Sequence, residues 1–503
     1  MKTLTILFVT VIMMGVGCSK NEDSGNNPDK PDKPSPLPDL PDPDDVCSCM
    51  DDIIFMQYCY DNFDVNKDGK VSVIEANAAR KIDINSECAS VKGIERFPNI
   101  EILSLNGSSI TELDLRYNLK LKSISGYSSL LTTVLLPNTL TSIEKSAFKE
   151  CASLIEIHFP ASLTSIGVNA FYGCSSLTEI NFPASLTSIG GSAFRGCSSL
   201  VEIHLSDNLT SIGEYAFSGC SSLTEINFPA SLTSIRGFAF SGCSSLVEIH
   251  LPDNLTSIGE RAFWSCSSLT EIHLPASLTW IGGSAFSGCS NLTKINLPDN
   301  LTSIGKTAFS GCSSLTEIHF PASLTSIGEY AFSGCSSLTE INLPASLASI
   351  GGSAFSGCSS LTEINFPASL TSIGESAFSF CSNLTEIHLP ASLTSIGEGT
   401  FWSCSSLTEI NLPASLASIG ESAFSGCSSL TEINFPASLT SIGESAFSFC
   451  SSLTEVICYA LVPPKLNGFS NSTIENLYVP AESIQAYKDS SWAIYFKNIL
   501  PIE

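Results

Sequence analysis

Apolar and polar residues follow a fixed period over most of this chain. From Cys151 to Cys450 a block of 23 residues recurs without insertion, and 14 cysteines occupy the same place in successive copies. A repeat this short cannot bury its own apolar face, so successive copies must stack on one another as a solenoid. The pattern predicts long surfaces rather than one enclosed pocket, which favours binding over catalysis.

Each copy predicts two short strands and a turn. In the copy that begins at Cys197, the spacing Leu-x-x-Ile-x-Leu predicts a strand in which Ile203 points inward while Glu202 and His204 point outward. A second extended piece, residues 209–212, follows a turn, because the proline after the first strand in most copies ends strand pairing there. One coil therefore has a strand on each side and closes through Ala-Phe-x-x-Cys.

The repeated block resembles a known family. Residues 130–457, with the block Leu-x-x-Ile-x-(Phe/Leu)-Pro-x-x-Leu-x-x-Ile-Gly-x-x-Ala-Phe-x-x-Cys, resemble the BspA-like leucine-rich repeats of bacterial surface proteins. Residues 93–129 resemble the less regular leucine-rich repeats that lead into such arrays, and residues 458–503 resemble their closing cap. The resemblance implies a β-rich, right-handed solenoid on a surface-anchored or secreted protein that adheres to matrix proteins, cells or other bacteria. It names no ligand.

The N-terminus indicates export and lipid anchoring. Residues 1–17 carry a lysine, an apolar run and Gly15-Val16-Gly17, which is typical of a signal peptide with a lipoprotein cleavage site before Cys18. Cys18 would then be the lipidated first residue of the mature chain. Residues 19–23, Ser-Lys-Asn-Glu-Asp, resemble the export signal of Bacteroidetes lipoproteins, which implies the outer membrane and the cell surface; the alternative is the hydrophilic start of a linker.

Composition and charge indicate a disordered segment near the N-terminus and argue against one class of function. Residues 18–46 are rich in proline and aspartate and hold few large apolar side chains, so we expect a disordered tether there. The net charge of −26 argues against nucleic-acid binding, which needs clustered lysine and arginine. Acidity suits a soluble outer surface, a cationic partner or calcium.

Residues 47–92 predict a small helical cap with an EF-hand loop. Helices over residues 51–63 and 73–82 flank a segment with glycine at loop position six and oxygen ligands at positions 1, 3, 5, 7, 9 and 12. We expect calcium there to be structural, holding the cap over the first coil; the alternative is a loop that keeps the pattern without the ion. The predicted ligands are Asp64, Asn66, Asp68, Lys70 through its carbonyl, Ser72 and Glu75.

Cysteines fall into separate classes. Cys47, Cys49, Cys59 and Cys88 lie in an exported cap and could form two disulfides, with three connectivities open. Cys458 has no predicted partner. The repeat cysteines should stack about 4.8 Å apart, whereas a disulfide needs its Cβ atoms near ~3.8 Å, so we expect buried free thiols.

The outward columns of the first strand are the predicted ligand face. Thirteen glutamates and one lysine occupy one column from Glu156 to Glu455, and the next column contains all six histidines. Two interpretations stay open: a solvated face copied by duplication, or an acidic groove for a basic protein segment or divalent cations. The candidate residues are Glu248, His250, Glu271, His273, Glu317, Glu340, Glu363 and Glu386.

Other functions receive less support. The histidines stand singly on a ladder, with no separate nucleophile and base, so we expect no enzyme, although the quartet at 248, 250, 271 and 273 could hold Zn²⁺ or Cu²⁺ adventitiously. Glycan or mucin capture is the alternative to binding a host or bacterial surface protein or glycoprotein. Sugar platforms usually need exposed aromatic rings, and the sheet columns have none; Trp264 and Trp402 lie at the Ala-Phe turn and Trp280 on the opposite strand.

Overall fold

The computed structural model describes residues 36–84, 87–105, 107–126, 128–469 and 474–502. The predicted signal peptide, Cys18 and the tether as far as residue 35 lie outside the described residues. The chain divides into two units, Met1–Leu37 and Pro38–Glu503, and all described helices and strands belong to the second. None of its described helices combines the length and the apolar character needed to cross a bilayer.

The second unit is a parallel β-solenoid, which confirms the predicted fold class. Successive coils pair without register shift, so that Glu202, Ile203 and His204 lie beside the same positions of the next copy. The first strands of the coils form an eleven-stranded sheet. Its strands are Glu179–Asn181, Glu202–His204, Glu225–Asn227, Glu248–His250, Glu271–His273, Lys294–Asn296, Glu317–His319, Glu340–Asn342, Glu363–Asn365, Glu386–His388 and Glu409–Asn411.

The second strands of the coils form three parallel sheets along another side of the solenoid. The first contains Ser142–Ile143, Ser165–Ile166, Ser188–Ile189, Ser211–Ile212, Ser234–Ile235, Ser257–Ile258 and Trp280–Ile281. The second contains Ser303–Ile304, Ser326–Ile327, Ser349–Ile350 and Ser372–Ile373. The third contains Ser395–Ile396, Ser418–Ile419, Ser441–Ile442 and Lys465–Leu466.

The inward positions form continuous apolar columns. Ile203, Leu209, Ala216, Phe217 and Cys220 are at most 2% exposed, and their equivalents in other coils are buried as well. The phenylalanine column stacks from coil to coil, with ring centroids 5.0 to 5.7 Å apart from Phe148 to Phe447. Because every inward side chain contacts its own copy in the next coil, no single coil is a stable unit.

Coils approach one another too closely for a side chain at the glycine after the second strand. A Cβ atom added to Gly213 would lie 2.4 Å from the carbonyl carbon of Gly190, and one added to Gly259 would lie 2.5 Å from a backbone nitrogen. This glycine is therefore required by backbone contact between coils, and not by the turn alone.

The N-terminal helices cover the start of the solenoid. A 3₁₀ helix, Val46–Cys49, precedes α1 (Ile53–Phe63), which Asp52 caps by accepting from the N–H groups of Ile54 and Phe55. The second helix, α2, spans Val73–Ala78. The prediction that it continues to Ile82 is wrong, because Lys81–Asp83 forms a strand that pairs with Ile102–Ser104 and buries Ile82.

The irregular repeats form coils of the same kind as the regular ones. Lys81–Asp83, Ile102–Ser104 and Ser123–Ser125 form one parallel sheet, and a 3₁₀ helix spans Ile94–Arg96. A second sheet runs from these repeats into the regular array. Its strands are Glu112–Asp114, Thr133–Leu135 and Glu156–His158.

The C-terminal segment closes the other end by extending the columns. Phe469 stacks on Phe447 at 5.3 Å, and Trp492 and Tyr487 are fully buried against the last coils. The closing sheet contains Glu432–Phe435, Glu455–Cys458, Ile474–Val479 and Phe496–Pro501. The 3₁₀ helices Ala481–Ser483 and Ser491–Ile494 flank α3, which spans Ile484–Lys488.

Candidate functional site

The eleven-stranded sheet presents the predicted glutamate column to solvent. Parallel pairing places Glu363 between Glu340 and Glu386 on neighbouring strands. Glutamate side chains of this column are exposed, from 63% at Glu156 to 44% at Glu386. Like charges one coil apart repel each other, so the column is an extended region of negative potential.

The column next to the glutamates is bonded to it within each strand. Nε2 of His250 lies 3.1 Å from Oε1 of Glu248, and Nδ2 of Asn342 donates to Oε1 of Glu340 at 2.8 Å. The other histidines make the same contact with the glutamate two residues earlier: His158, His204, His273, His319 and His388. Sequence reasoning missed these pairs, although residues two apart on a strand lie on the same face.

The quartet considered for a transition metal forms two separate pairs. Glu248 lies beside Glu271 and His250 beside His273 on adjacent strands. Each histidine contacts the glutamate of its own strand. Within the described ranges, no group of three or more His, Cys, Asp and Glu side chains is arranged to hold a metal ion. The four residues therefore offer exposed polar contacts and not a four-ligand centre.

One lysine divides the glutamate column. Lys294 lies between Glu271 and Glu317 on neighbouring strands, and its Nζ is 3.7 Å from Oε2 of Glu317. Exposed ion pairs of this kind contribute little to stability. The lysine separates the candidate residues at Glu248 and Glu271 from the group that begins at Glu317.

The predicted calcium loop has the backbone shape that its sequence requires. Gly69 adopts φ of 83°, and the Asp64 carboxylate accepts from the N–H groups of Asp68 at 3.2 Å and Gly69 at 2.9 Å. Oε1 of Glu75 accepts from the N–H of Val65 at 2.9 Å, which joins the end of the loop to its beginning. The loop is thus closed by its own acidic side chains.

Glu75 has a second structural role. Its Oε2 accepts from the backbone N–H and the hydroxyl of Ser72, while Ser72 caps α2 in a reciprocal capping box. These hydrogen bonds hold the pKa of Glu75 below its ordinary value. The loop has the oxygen ligand types and the left-handed glycine of a calcium site, but its described carboxylates accept from backbone N–H groups and are not gathered around one ion position, so calcium would have to replace those bonds.

The cap cysteines are free thiols in the structure. Cys47, Cys59 and Cys88 are buried and Cys49 is partly exposed. Burial and a hydrogen bond with Cys47 raise the pKa of Cys59 far above the usual thiol value. Cys47 and Cys88 both lie close enough to Cys59 to affect it, so the three connectivities stay open.

The repeat cysteines are buried free thiols, as predicted. The Sγ atom of Cys266 donates to the carbonyl oxygen of Phe240 at 3.3 Å, and this contact recurs from Cys174 to Cys450 with the phenylalanine 26 residues earlier. Burial raises the pKa of Cys243 and of Cys289 to about 12. The thiols are thus structural hydrogen-bond donors and not nucleophiles.

A second surface, which we term the turn face, consists of the residues that flank Ala-Phe in each coil. The rings of Tyr215 and Phe238 stack there with centroids 4.4 Å apart. The guanidinium of Arg195 lies 5.0 Å from the Tyr215 ring, and that of Arg261 lies 5.3 Å from the Phe238 ring. Sequence reasoning noted Trp264 and Trp402 here but missed the stack, although arginines close together among near-identical coils were a visible signal.

Comparison with known proteins gives one family and several solved structures. The BspA type leucine-rich repeat region matches residues 123–237, 212–337, 302–429 and 371–493, which together make up well over half of the chain. No match is found among curated proteins.

Three similar proteins have crystal structures. A leucine-rich repeat protein from Bacteroides ovatus is 32% identical with a TM-score of 0.57, and the match covers 72% of this chain and 88% of that one. A leucine-rich cell surface protein from Faecalibacterium prausnitzii is 31% identical with a TM-score of 0.42, over 66% and 84% of the two chains. The T. pallidum leucine-rich repeat protein is 32% identical with a TM-score of 0.31, over 37% and 78%.

Proposed function

Because this chain belongs to the family of BspA-type leucine-rich repeat proteins, we propose that it is a cell-surface lipoprotein whose solenoid binds a protein of a host matrix or of another cell. The family's architecture is that of a binding scaffold, and its long surfaces suit extended partners. Cys18, directly after the signal-like residues 1–17, is the proposed lipid anchor in the outer membrane.

The exposed glutamate column is the observation that carries the proposal. It presents one carboxylate per coil, except at Lys294, at a spacing of about 4.8 Å along the eleven-stranded sheet. A basic segment of a protein partner would be attracted along its whole length, and many equivalent contacts would add up to useful affinity. The Glu–His and Glu–Asn pairs orient the carboxylates outward in a regular array.

A calcium ion in the loop Asp64–Glu75 is proposed as a structural component of the cap. The ion would bind the oxygens that now accept from loop N–H groups, and would supply positive charge to a segment rich in carboxylates. The cap covers the first coil, so its stability protects the exposed strand edge there.

Charge reversal of the sheet face tests the proposed ligand surface. The variant replaces Glu317, Glu340, Glu363 and Glu386 by lysine. We expect the on-rate for a protein captured from host-matrix or bacterial extracts to fall about tenfold or more, because steering toward the acidic face is lost. Surface plasmon resonance at low and physiological salt measures the rates, and circular dichroism verifies the fold.

The turn face supplies a matched control with the same change in net charge. Glu375, Glu398, Glu421 and Glu444 are exposed in four consecutive coils and are replaced by lysine in the control. This control should bind as the wild type does. Equal rates for the wild type and both variants would mean that the glutamate column is only a solvated face.

A further inference from the structure

Basic residues are concentrated in a few coils of the turn face. Between residues 151 and 450 the only arginines are Arg195, Arg236 and Arg261, and all three fall within four consecutive coils, residues 174–265. The coils from 312 to 449 hold no lysine or arginine, and their turn face carries several exposed glutamates. Because the coils are otherwise nearly identical in sequence, they can be compared with one another. The arginines of these four coils are a local difference from the acidic turn face of the later coils.

The same coils place bulky side chains at a strained backbone position. The residue before Ala-Phe is left-handed throughout the array, and the unremarkable coils carry serine there, as at Ser284 and Ser422. Tyr215, Phe238 and Arg261 occupy it in three successive coils with φ between 53° and 58°. Left-handed backbone is unfavourable for any residue with a Cβ atom and rarest for bulky ones, and among the other coils only Tyr330 places an aromatic ring at this position.

These side chains form a continuous stack. Tyr172, Arg195, Tyr215, Phe238 and Arg261 follow one another along the solenoid, with the Arg195 guanidinium 5.9 Å from one tyrosine ring and 5.0 Å from the next. Stacking uses the faces of the guanidinium groups and leaves the N–H donors at their edges.

A shallow groove of about 450 Å³ runs beside the stack. Arg195 and Trp264 lie at its two ends and occupy the same position, directly after Ala-Phe, in their coils. The two coils between them carry Ser218 and Ser241 at that position. Gly219 and Gly242 also line it. The small residues leave a gap of two coils, roughly 10 Å, and the volume falls within the range of about 300 to 1,000 Å³ that is typical of ligand pockets.

The charges at the groove lack strong partners. Arg195 forms no ion pair with any described residue, and Arg261 approaches only Glu260, at 3.8 Å. Trp264 is 44% exposed, and its ring stacks on no other aromatic ring among the described residues. The groove therefore combines two available guanidinium groups with one available indole ring.

We propose that this groove binds an acidic oligosaccharide. The indole of Trp264 would stack on the apolar face of a sugar ring, and the serine and glycine positions would allow that ring to approach the backbone closely. Arg195 and Arg261 would bind a carboxylate or a sulfate through paired N–H donors. An acidic peptide could also bind the two arginines, but it has no sugar ring to stack on the indole of Trp264.

The site is independent of the sheet face. None of the glutamates of the sheet-face column lines the groove, which lies on the turn side of the coils. The lysine variants of the glutamate column should therefore bind the oligosaccharide as the wild type does, so either proposal can fail while the other stands.

Calorimetric titration of the full chain in detergent tests the proposal. The ligands are an oligogalacturonate, a heparin-derived oligosaccharide, a neutral cello-oligosaccharide and a polyglutamate peptide. The variants Arg195→Ser, Arg261→Ser and Trp264→Ser each introduce the residue that other coils carry in a turn-face position, so the fold should persist. The control is Trp402→Ser, in the same column as Trp264 but outside the groove.

We expect binding of at least one acidic oligosaccharide and none of the neutral one. Each groove variant should weaken it about tenfold or more, while Trp402→Ser should leave it unchanged. Tighter binding of the oligogalacturonate would indicate that the carboxylate is the recognised group. Tighter binding of the heparin fragment would indicate the sulfate. The proposal is overturned by absence of binding to both acidic sugars, by equal affinity in the groove variants, or by polyglutamate binding as tightly and without dependence on Trp264.

Discussion

At the scale of single residues, the repeated thiol is the most regular polar contact of the core. Cys266 donates across the coil boundary to the carbonyl of Phe240, and Ser128, one period before Cys151, donates in a similar way to the carbonyl of Ile110. In the regular coils this carbonyl also accepts from a backbone N–H, that of Cys243 in the case of Phe240, so the thiol is a second donor to it. The column is therefore held by hydrogen bonds as well as by packing.

The thiols predict an unusually steep loss of stability at alkaline pH. Burial raises the pKa of Cys243 and Cys289 to about 12, above the value of about 8.5 in an unfolded chain. The protonated form is favoured in the folded state, so its contribution is complete below about pH 8.5 and is lost as pH rises toward 12. Each coil can lose up to about 1.4 kcal/mol per pH unit in this window.

Urea unfolding followed by circular dichroism at about pH 8 and about pH 10.5 measures this loss. Tyrosines and lysines also titrate there, so the control replaces Cys243, Cys266 and Cys289 by alanine. This variant should be less stable at pH 8 but should lose less stability on alkalinisation. An identical alkaline loss in both proteins would contradict the assignment to the thiols.

At the scale of elements, short strands and turns repeat faithfully, whereas the cap helices depend on their neighbours. Helix α2 ends at Ala78, because the following residues gain more by pairing as a strand and burying Ile82. The loop between α1 and α2 is linked to itself by hydrogen bonds to the Asp64 and Glu75 carboxylates. A calcium ion would replace these hydrogen bonds by bonds to the same oxygens.

Calcium should raise the melting temperature of the cap. An ion at 100 times its dissociation constant adds about 2.7 kcal/mol to the free energy of unfolding. The double variant Asp64→Ala and Glu75→Ala should lose this increase, as measured by calorimetry with calcium and with a chelator. An equal increase in the wild type and the double variant would remove the calcium assignment.

Glu75→Gln separates the metal from the helix cap. Glutamine can keep the capping box with Ser72 through its one amide oxygen but loses the bond from the N–H of Val65, so the melting temperature in chelator should fall only moderately. It removes the bidentate carboxylate, so the calcium response should shrink strongly. A variant that is destabilised in chelator but keeps the full calcium response would show that Glu75 acts only as a cap.

At the scale of the whole molecule, the solenoid carries two chemically distinct surfaces. The sheet face is acidic except at Lys294, whereas the turn face of residues 174–265 carries arginines and an aromatic stack beside Glu214 and Glu260, and is acidic further along. Two partners of opposite charge could therefore occupy one molecule.

Cys18→Ala should release the protein from the membrane fraction. In the proposed arrangement the lipid on Cys18 holds the chain at the membrane, because the apolar run within residues 1–17 is too short to span a bilayer. Fractionation and immunoblotting measure the release, with Ser24→Ala as the control. Protease added to intact cells should also digest the wild-type protein, and full protection until lysis would contradict surface display.

The sequence by itself determined the architecture of this protein. Period, alternation and the recurrence of Leu, Ile, Phe and Cys are local properties, and they were sufficient to predict the coils, the outward glutamates and the buried thiols. The first helix of the cap followed from local residue preferences in the same way. These features depend on residues that are close together in the sequence, so the sequence alone is sufficient to predict them.

Only the tertiary structure decided which side chains meet. The bond from Cys266 to Phe240 joins residues 26 apart, and the stack of Arg195 on Tyr215 crosses from one coil to the next. The end of α2 at Ala78 likewise depended on a strand more than twenty residues away. Such contacts follow from coil register and side-chain direction, which are set by packing across the stack and not by the order of residues within one repeat.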